Sequence, residues 1–111
     1  MTVAQLIEPL ELTLLTPGTD LERAVKGGCV CDLLSYVMAN GDNGMAWITV
    51  QTHLNVIAVA SLHEFACVIL SDGSAADEPT LAKAAEEGIP VLSSPLAGYT
   101  LAGRLYALGI R

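Results

Sequence analysis

Apolar positions in this chain come in short runs, and glycine, proline, asparagine or aspartate separates each run from the next. Val3, Leu6 and Ile7 recur at helical spacing behind a capping Thr2, which predicts a short helix over residues 2–9. Residues 10–16 are rich in Leu and Thr and stop at Pro17-Gly18, the pattern of a strand and a turn. Lys26-Gly27-Gly28 reads as a flexible break, and Cys29-Val30-Cys31 as a short strand. Asp32 is placed to cap a helix over residues 33–39, with Leu33, Leu34, Val37 and Met38 on one face. The polar run 40–44 is a loop by composition, and 46–51 (Ala-Trp-Ile-Thr-Val-Gln) is a strand.

Residues 56–62 are apolar on every side, so periodicity does not type them. The next strand, 66–70, begins a dozen or so residues beyond the previous one. That gap suits a crossover helix between parallel strands better than a hairpin, so residues 54–64 are expected to be a helix buried against the sheet. Asp72-Gly73 ends the strand. Asp77 caps a further helix with Pro79 in its first turn and Leu81, Ala84 and Ala85 on its inner face. Gly88 stands where a left-handed terminating glycine belongs. Residues 90–94 form the last strand and 96–108 the last helix. Alternation of this kind implies an α/β fold. The expected form is three layers, α/β/α, around a mostly parallel or mixed sheet of about five strands, in one domain over residues 1–111.

Composition sharpens this picture in two ways. Of the 111 residues, 52% are hydrophobic and 15% charged, so some apolar surface must stay outside a single core. The six apolar side chains Leu96, Leu101, Leu105, Tyr106, Leu108 and Ile110 exceed what one helix face needs, and a homodimer through this segment is the expected outlet. The net charge is −7, and the five cations are scattered, which argues against nucleic acid and against an anionic membrane surface. Residues 1–15 lack a basic start, and Glu8, Pro9 and Glu11 interrupt their apolar positions, so no secretion signal is expected. Three cysteines give no disulfide framework and suggest a cytoplasmic location.

Side-chain chemistry is sparse. Cys29 and Cys31 are expected to point to opposite faces of their strand, and Cys67 to sit in the core, so no metal site is expected. His63 falls near the end of its helix, where an imidazolium would complement the dipole. No phosphate-binding loop, dinucleotide fingerprint or nucleophile elbow is present, and no cofactor is implied. One constellation remains. Ligands of parallel α/β sheets settle beyond the carboxyl ends of the strands. Those ends carry Gln51, Thr52, His53 and Asn55, then Asp72 and Gly73, then Ser93, with Gly28 and Asp32 expected to approach. The same residue types cap helices and shape turns, so a structural role competes with a binding role. His53, within loop reach of Asp72, is the one base an enzyme could use.

Four stretches taken together resemble a known family. They are Gly27-Gly28-x-Val30-x-Asp32-Leu33-Leu34-Ser35-x-Val37-Met38, then Trp47-Ile48-Thr49-Val50-Gln51-Thr52-His53-x-Asn55-x-x-Ala58-Val59-Ala60, then Glu87-Gly88-Ile89-Pro90-Val91-Leu92, and Gly103-Arg104-Leu105-Tyr106-x-Leu108-Gly109-Ile110. In this order and spacing they resemble the DRTGG domain over nearly the whole chain. In the name-giving region, Glu22-Arg23-Ala24-Val25-Lys26-Gly27-Gly28 keeps the arginine and the paired glycines without the compact spelling. The resemblance implies a fold related to the N-terminal domain of HPr kinase/phosphorylase. It also implies a regulatory or ligand-sensing role, in free-standing proteins or fused to CBS domains. It does not imply kinase activity, because the phosphate-binding loop of that enzyme belongs to a different domain.

The reading that follows is a non-catalytic sensor module for a small polar or phosphorylated ligand, a metabolite or nucleotide, to which Arg23 or Lys26 could lend a charge. A protein–protein interaction module without a small-molecule ligand is the alternative, and an enzyme using His53 the third.

Overall fold

In a computed structural model covering all 111 residues, five strands form one sheet in the order β1-β5-β4-β3-β2. They are β1 (Thr13–Leu14), β2 (Gly27–Val30), β3 (Met45–Thr49), β4 (Cys67–Leu70) and β5 (Val91–Ser93). Strands β2 to β5 run parallel, and β1 is an antiparallel edge. The helices are α1 (Leu34–Asn40), α2 (Leu54–Leu62), α3 (Glu78–Glu87) and α4 (Gly98–Ala107), with a single 3₁₀ turn at Ala4–Leu6 where the longer first helix was expected. The sheet is therefore mixed and mostly parallel, and the fold is α/β as the pattern predicts.

Strand periodicity sorts the core into two layers. Ala46, Ile48, Cys67, Ile69 and Leu92 face one side and pack with Val3, Leu6, Leu10, Leu101 and Leu105 from α4 and the N-terminal segment. Trp47, Val68, Leu70 and Val91 face the other side, against Val37, Val56, Ile57, Val59, Ala60, Phe65, Ala84 and Ile89. Helices α1, α2 and α3 supply that second layer. Trp47 meets Phe65 edge to face with centroids 5.8 Å apart, and its Nε1 donates to Cys31 O at 2.8 Å. Burying an indole with its N–H satisfied avoids the desolvation penalty an unpaired donor would carry.

Several expectations are corrected. Lys26-Gly27-Gly28 is no loose break, because Gly27 and Gly28 pair with Met45 and Ala46 in β2. A Cβ on Gly28 would lie 3.0 Å from Leu105 Cδ2, so the glycine is there to admit α4 and not to bend the chain. Asp32 does not cap α1: Leu33 holds that position without a side-chain bond, and Asp32 is used by β3. Of the expected α1 face only Val37 is buried, while Leu33 is 62% and Met38 46% exposed. Cys29 and Cys31 both pack toward the Trp47 layer, since strand side chains two apart share a face. Cys67 is fully buried, which pushes its thiol up to about 12. His63 ends α2, but its Nε2 lies 2.7 Å from Met38 O, on the last turn of α1, and its ring stacks on Phe65.

Helix α3 begins as expected, with Asp77 accepting from Thr80 N, and ends at a left-handed Gly88. Its inner face is Thr80, Ala84 and the half-buried Leu81 as expected, with Ala85 exposed. The C-terminal apolar surplus is also mostly absorbed: Leu101 and Leu105 are buried, and Leu96, Leu108 and Ile110 pack against the same core, leaving Tyr106 outside. Further exposed apolar side chains lie around α1 and α2 (Leu33, Tyr36, Met38, Leu54 and Leu62), and on α4 Tyr99 is 93% exposed. No helix is long and apolar enough to cross a membrane.

Candidate functional site

Parallel strands place their connecting turns at the carboxyl ends, and four helices start or lean there. Asp32 organises the first part of this rim. Its Oδ1 accepts from Thr49 Oγ1 at 2.8 Å and from Val50 N at 2.9 Å, tying the end of β2 to the end of β3. Gln51 closes the loop on both sides: its Nε2 donates to Asp32 O at 3.2 Å, and its backbone N donates to Thr49 Oγ1 at 3.1 Å. Thr49 is buried and Asp32 and Gln51 are exposed, so a fixed polar floor carries a solvent-facing carboxylate and amide.

The second part is built on helix starts. His53 caps α2, its Nδ1 accepting from Asn55 N at 3.0 Å. Thr52 O accepts from Thr80 Oγ1 at 3.3 Å, which brings the start of α3 alongside. The hydrogen bonds from Thr80, aided by the charge of nearby His53, hold the Asp77 carboxyl below its ordinary range. Asp77 therefore belongs to this rim, although only its capping role was legible beforehand. Across β4 and β5 lies a third part. Asp72 and Gly73 both take left-handed backbone, and their N–H groups donate to Leu96 O and Ser94 O. Ser71 Oγ donates to Asp72 Oδ2, and Ser93 closes β5 half-buried.

Hydrogen bonds thus join Asp32 with Gln51, and His53 with Asn55. Thr52 is linked to α3, and Asp72 and Gly73 to the β5–α4 connection. Gly28 is not part of this rim. It sits under α4 beside an apolar pocket of about 160 Å³ lined by Cys29, Val30, Ile48, Leu105 and others. Neither is the rim where the cations are: Arg23 and Lys26 lie before β2, at the amino ends of the strands. His53 is exposed, its Nδ1 accepts from Asn55 N in the cap, and it shares no hydrogen bond with Asp72.

Two grooves flank these elements. One, of about 390 Å³, runs between α1 and α2 past Leu34, Ser35, Met38, Asn55, Ala58 and Val59. The other, of about 460 Å³, crosses the amino ends of the strands and is lined mainly by polar groups.

A three-layer α/β/α domain with a mostly parallel sheet and a polar rim at the carboxyl ends of its strands is the class these features define. In fold the chain is similar to the CBS and DRTGG domains of the regulatory region of Clostridium perfringens pyrophosphatase, solved in complex with its activator, diadenosine tetraphosphate. The TM-score is 0.71 at 11% sequence identity, over 94% of this chain and 45% of that one. This chain therefore spans less than half the length of that regulatory region. No protein-family profile matches the sequence, and no curated protein matches it.

Proposed function

We propose that this chain is a DRTGG-like, non-catalytic regulatory module that binds a small polar ligand at the carboxyl ends of its strands. One observation carries the reading. Asp32, Thr49 and Gln51 form a closed hydrogen-bonded floor whose outer atoms remain open to solvent, with His53, Asn55 and Asp77 on neighbouring helix starts. Such a rim can accept from hydroxyl, amine or amide donors. Its carboxylates Asp32, Asp72 and Asp77 disfavour a bare phosphate there. The likeness in fold to a regulatory region that binds an activator nucleotide supports the regulatory part of the proposal.

A thermal-shift panel of unphosphorylated polar metabolites (amino acids, sugars and nucleosides) tests it. A ligand at ten times its dissociation constant adds about 1.4 kcal/mol, enough to raise the melting temperature by several degrees. Asp32→Asn should abolish the shift. A panel without a hit at millimolar concentration removes the proposal.

A second reading, a protein–protein interaction module, is favoured by the α1–α2 surface, where Leu33, Leu54 and Leu62 are 62%, 41% and 65% exposed. We place the expected homodimer there and not on the C-terminal segment. Light scattering decides: Leu62→Lys should return a dimer to the monomer mass of 11.6 kDa, and a wild-type chain already at that mass excludes it.

A further inference from the structure

The five cations of this acidic chain do not share one fate. Lys83 is paired with Glu87 at 3.0 Å, and Arg104 with Glu11 at 3.2 Å. Arg111 stacks over the Tyr106 ring, 4.1 Å from its centroid. Only Arg23 and Lys26 lack both a carboxylate partner and an aromatic one, and both line the groove at the amino ends of the strands. Arg23 Nη1 donates to Gly88 O at 2.8 Å, and Lys26 Nζ to Asn43 Oδ1 at 3.3 Å. These neutral acceptors hold the two cations in place without a direct ion pair. The remaining guanidinium and ammonium donors are available to a ligand.

The groove also shows how Lys26 is held. Gly44 takes left-handed backbone at φ +80°, and a Cβ there would meet Lys26 Cδ at 2.8 Å, so the lysine stem lies across the glycine. Two carboxylates line the groove, and they differ. Glu87 is neutralised by Lys83 and accepts from Ser61 Oγ at 3.2 Å, bonds that together hold its carboxyl below the ordinary range. Glu64 accepts from Asn43 Nδ2 through Oε2 alone, at 2.8 Å, which leaves Oε1 open to a donor. The wall therefore offers two cations and a carboxylate with a free oxygen, Lys26 and Glu64 being bridged by the Asn43 amide and Arg23 held at Gly88, around about 460 Å³ of space. That volume is within the range of small-molecule sites.

We propose that this amino-end groove binds a phosphate ester bearing hydroxyl groups, its phosphate on Arg23 and Lys26 and a hydroxyl on Glu64. Arginine's planar fork matches phosphate geometry, and lysine adds a point charge. The site is separate from the carboxyl-end rim, and each can fail without the other.

Ribose 5-phosphate and AMP are the probes, followed by thermal shift at near-physiological salt. Each should raise the wild-type melting temperature. Lys26→Gln and Arg23→Gln should each weaken binding roughly tenfold or more, the size expected for a lost charge-assisted bond. Arg111→Gln, the same charge change outside the groove, should leave binding as it was. A wild-type protein that neither probe stabilises overturns the proposal. So does a shift that survives in Lys26→Gln, or one lost equally in Arg111→Gln. Should Arg23→Gln fail to fold for want of its bond to Gly88, Lys26→Gln decides alone, because its head contacts only the exposed Asn43 side chain. A stronger shift with AMP than with ribose 5-phosphate assigns a nucleotide, and an equal shift a sugar phosphate.

Discussion

At the carboxyl ends of the strands the rim holds Asp32, Asp72 and Asp77 around one histidine, whereas at the amino ends Arg23 and Lys26 face a groove with Asn43, Ser61 and two carboxylates. The two ends are also built differently. The carboxyl end is a set of closed hydrogen-bonded turns: Asp32, Thr49 and Gln51 satisfy one another, and His53 and Asp77 cap helices. The amino end adds tight packing to its side-chain hydrogen bonds. His63 and Phe65 stack with ring centroids 5.5 Å apart, and a Cβ on Gly41 would meet Phe65 Cζ at 2.7 Å and Val37 O at 2.8 Å. The difference teaches that the rule placing ligands at carboxyl ends locates polar turns, while charge decides which end suits an anion.

Each of the following changes breaks that contrast at a chosen place. The largest effect belongs to Trp47→Ala. It empties the centre of the second core layer and frees Cys31 O at the carboxyl end, so urea unfolding should show a loss of about 3–5 kcal/mol. A loss under about 1 kcal/mol would mean the layer repacks around the gap.

Cys67, at the start of β4 near the amino end, gives a pH test. Burial raises its thiol from 9.0 to about 12. A raised value favours the neutral form in the fold, so this contribution is complete below pH 9 and is lost as pH rises toward 12. Chemical-denaturation midpoints should fall across that window, and Cys67→Ala should flatten the fall.

Asp77 tests the carboxyl end with a smaller effect. Its carboxyl is held low, first by the hydrogen bonds from Thr80. The stability it gives is present above the usual aspartate range near pH 4 and is lost on acidification below it. Asp77→Ala should lower the melting temperature by a few degrees at neutral pH and leave the acid limb shallower. An unchanged melting curve would show that the cap is idle.

Much of the fold was legible because strand and helix periods are strong where both faces are covered. The β3, β4 and β5 runs, the α2 crossover and the Asp77–Gly88 frame of α3 all fall where the pattern puts them. The failures have local causes. Asp32 reads as a cap from sequence, but Thr49 and Val50 N, 17 and 18 residues away, compete for its carboxylate. Gly27-Gly28 reads as a break because nothing local reveals Leu105 packing on top. The rim residues were named from strand ends, yet Gly28 falls outside the rim and Asp77 inside it. The amino-end groove has no local signature, because Arg23 and Lys26 just before β2 are joined there by Asn43, Glu64 and Glu87 from three other segments.

The most direct test of the division between the two ends is an amide NMR titration of the ¹⁵N-labelled chain with AMP at near-physiological salt. The account predicts that Arg23, Lys26, Gly44, Ala66 and Ile89 shift with saturation while Asp32, Gln51 and Asn55 hold still. Shifts centred on Asp32 and Gln51, or none anywhere at millimolar AMP, would contradict it.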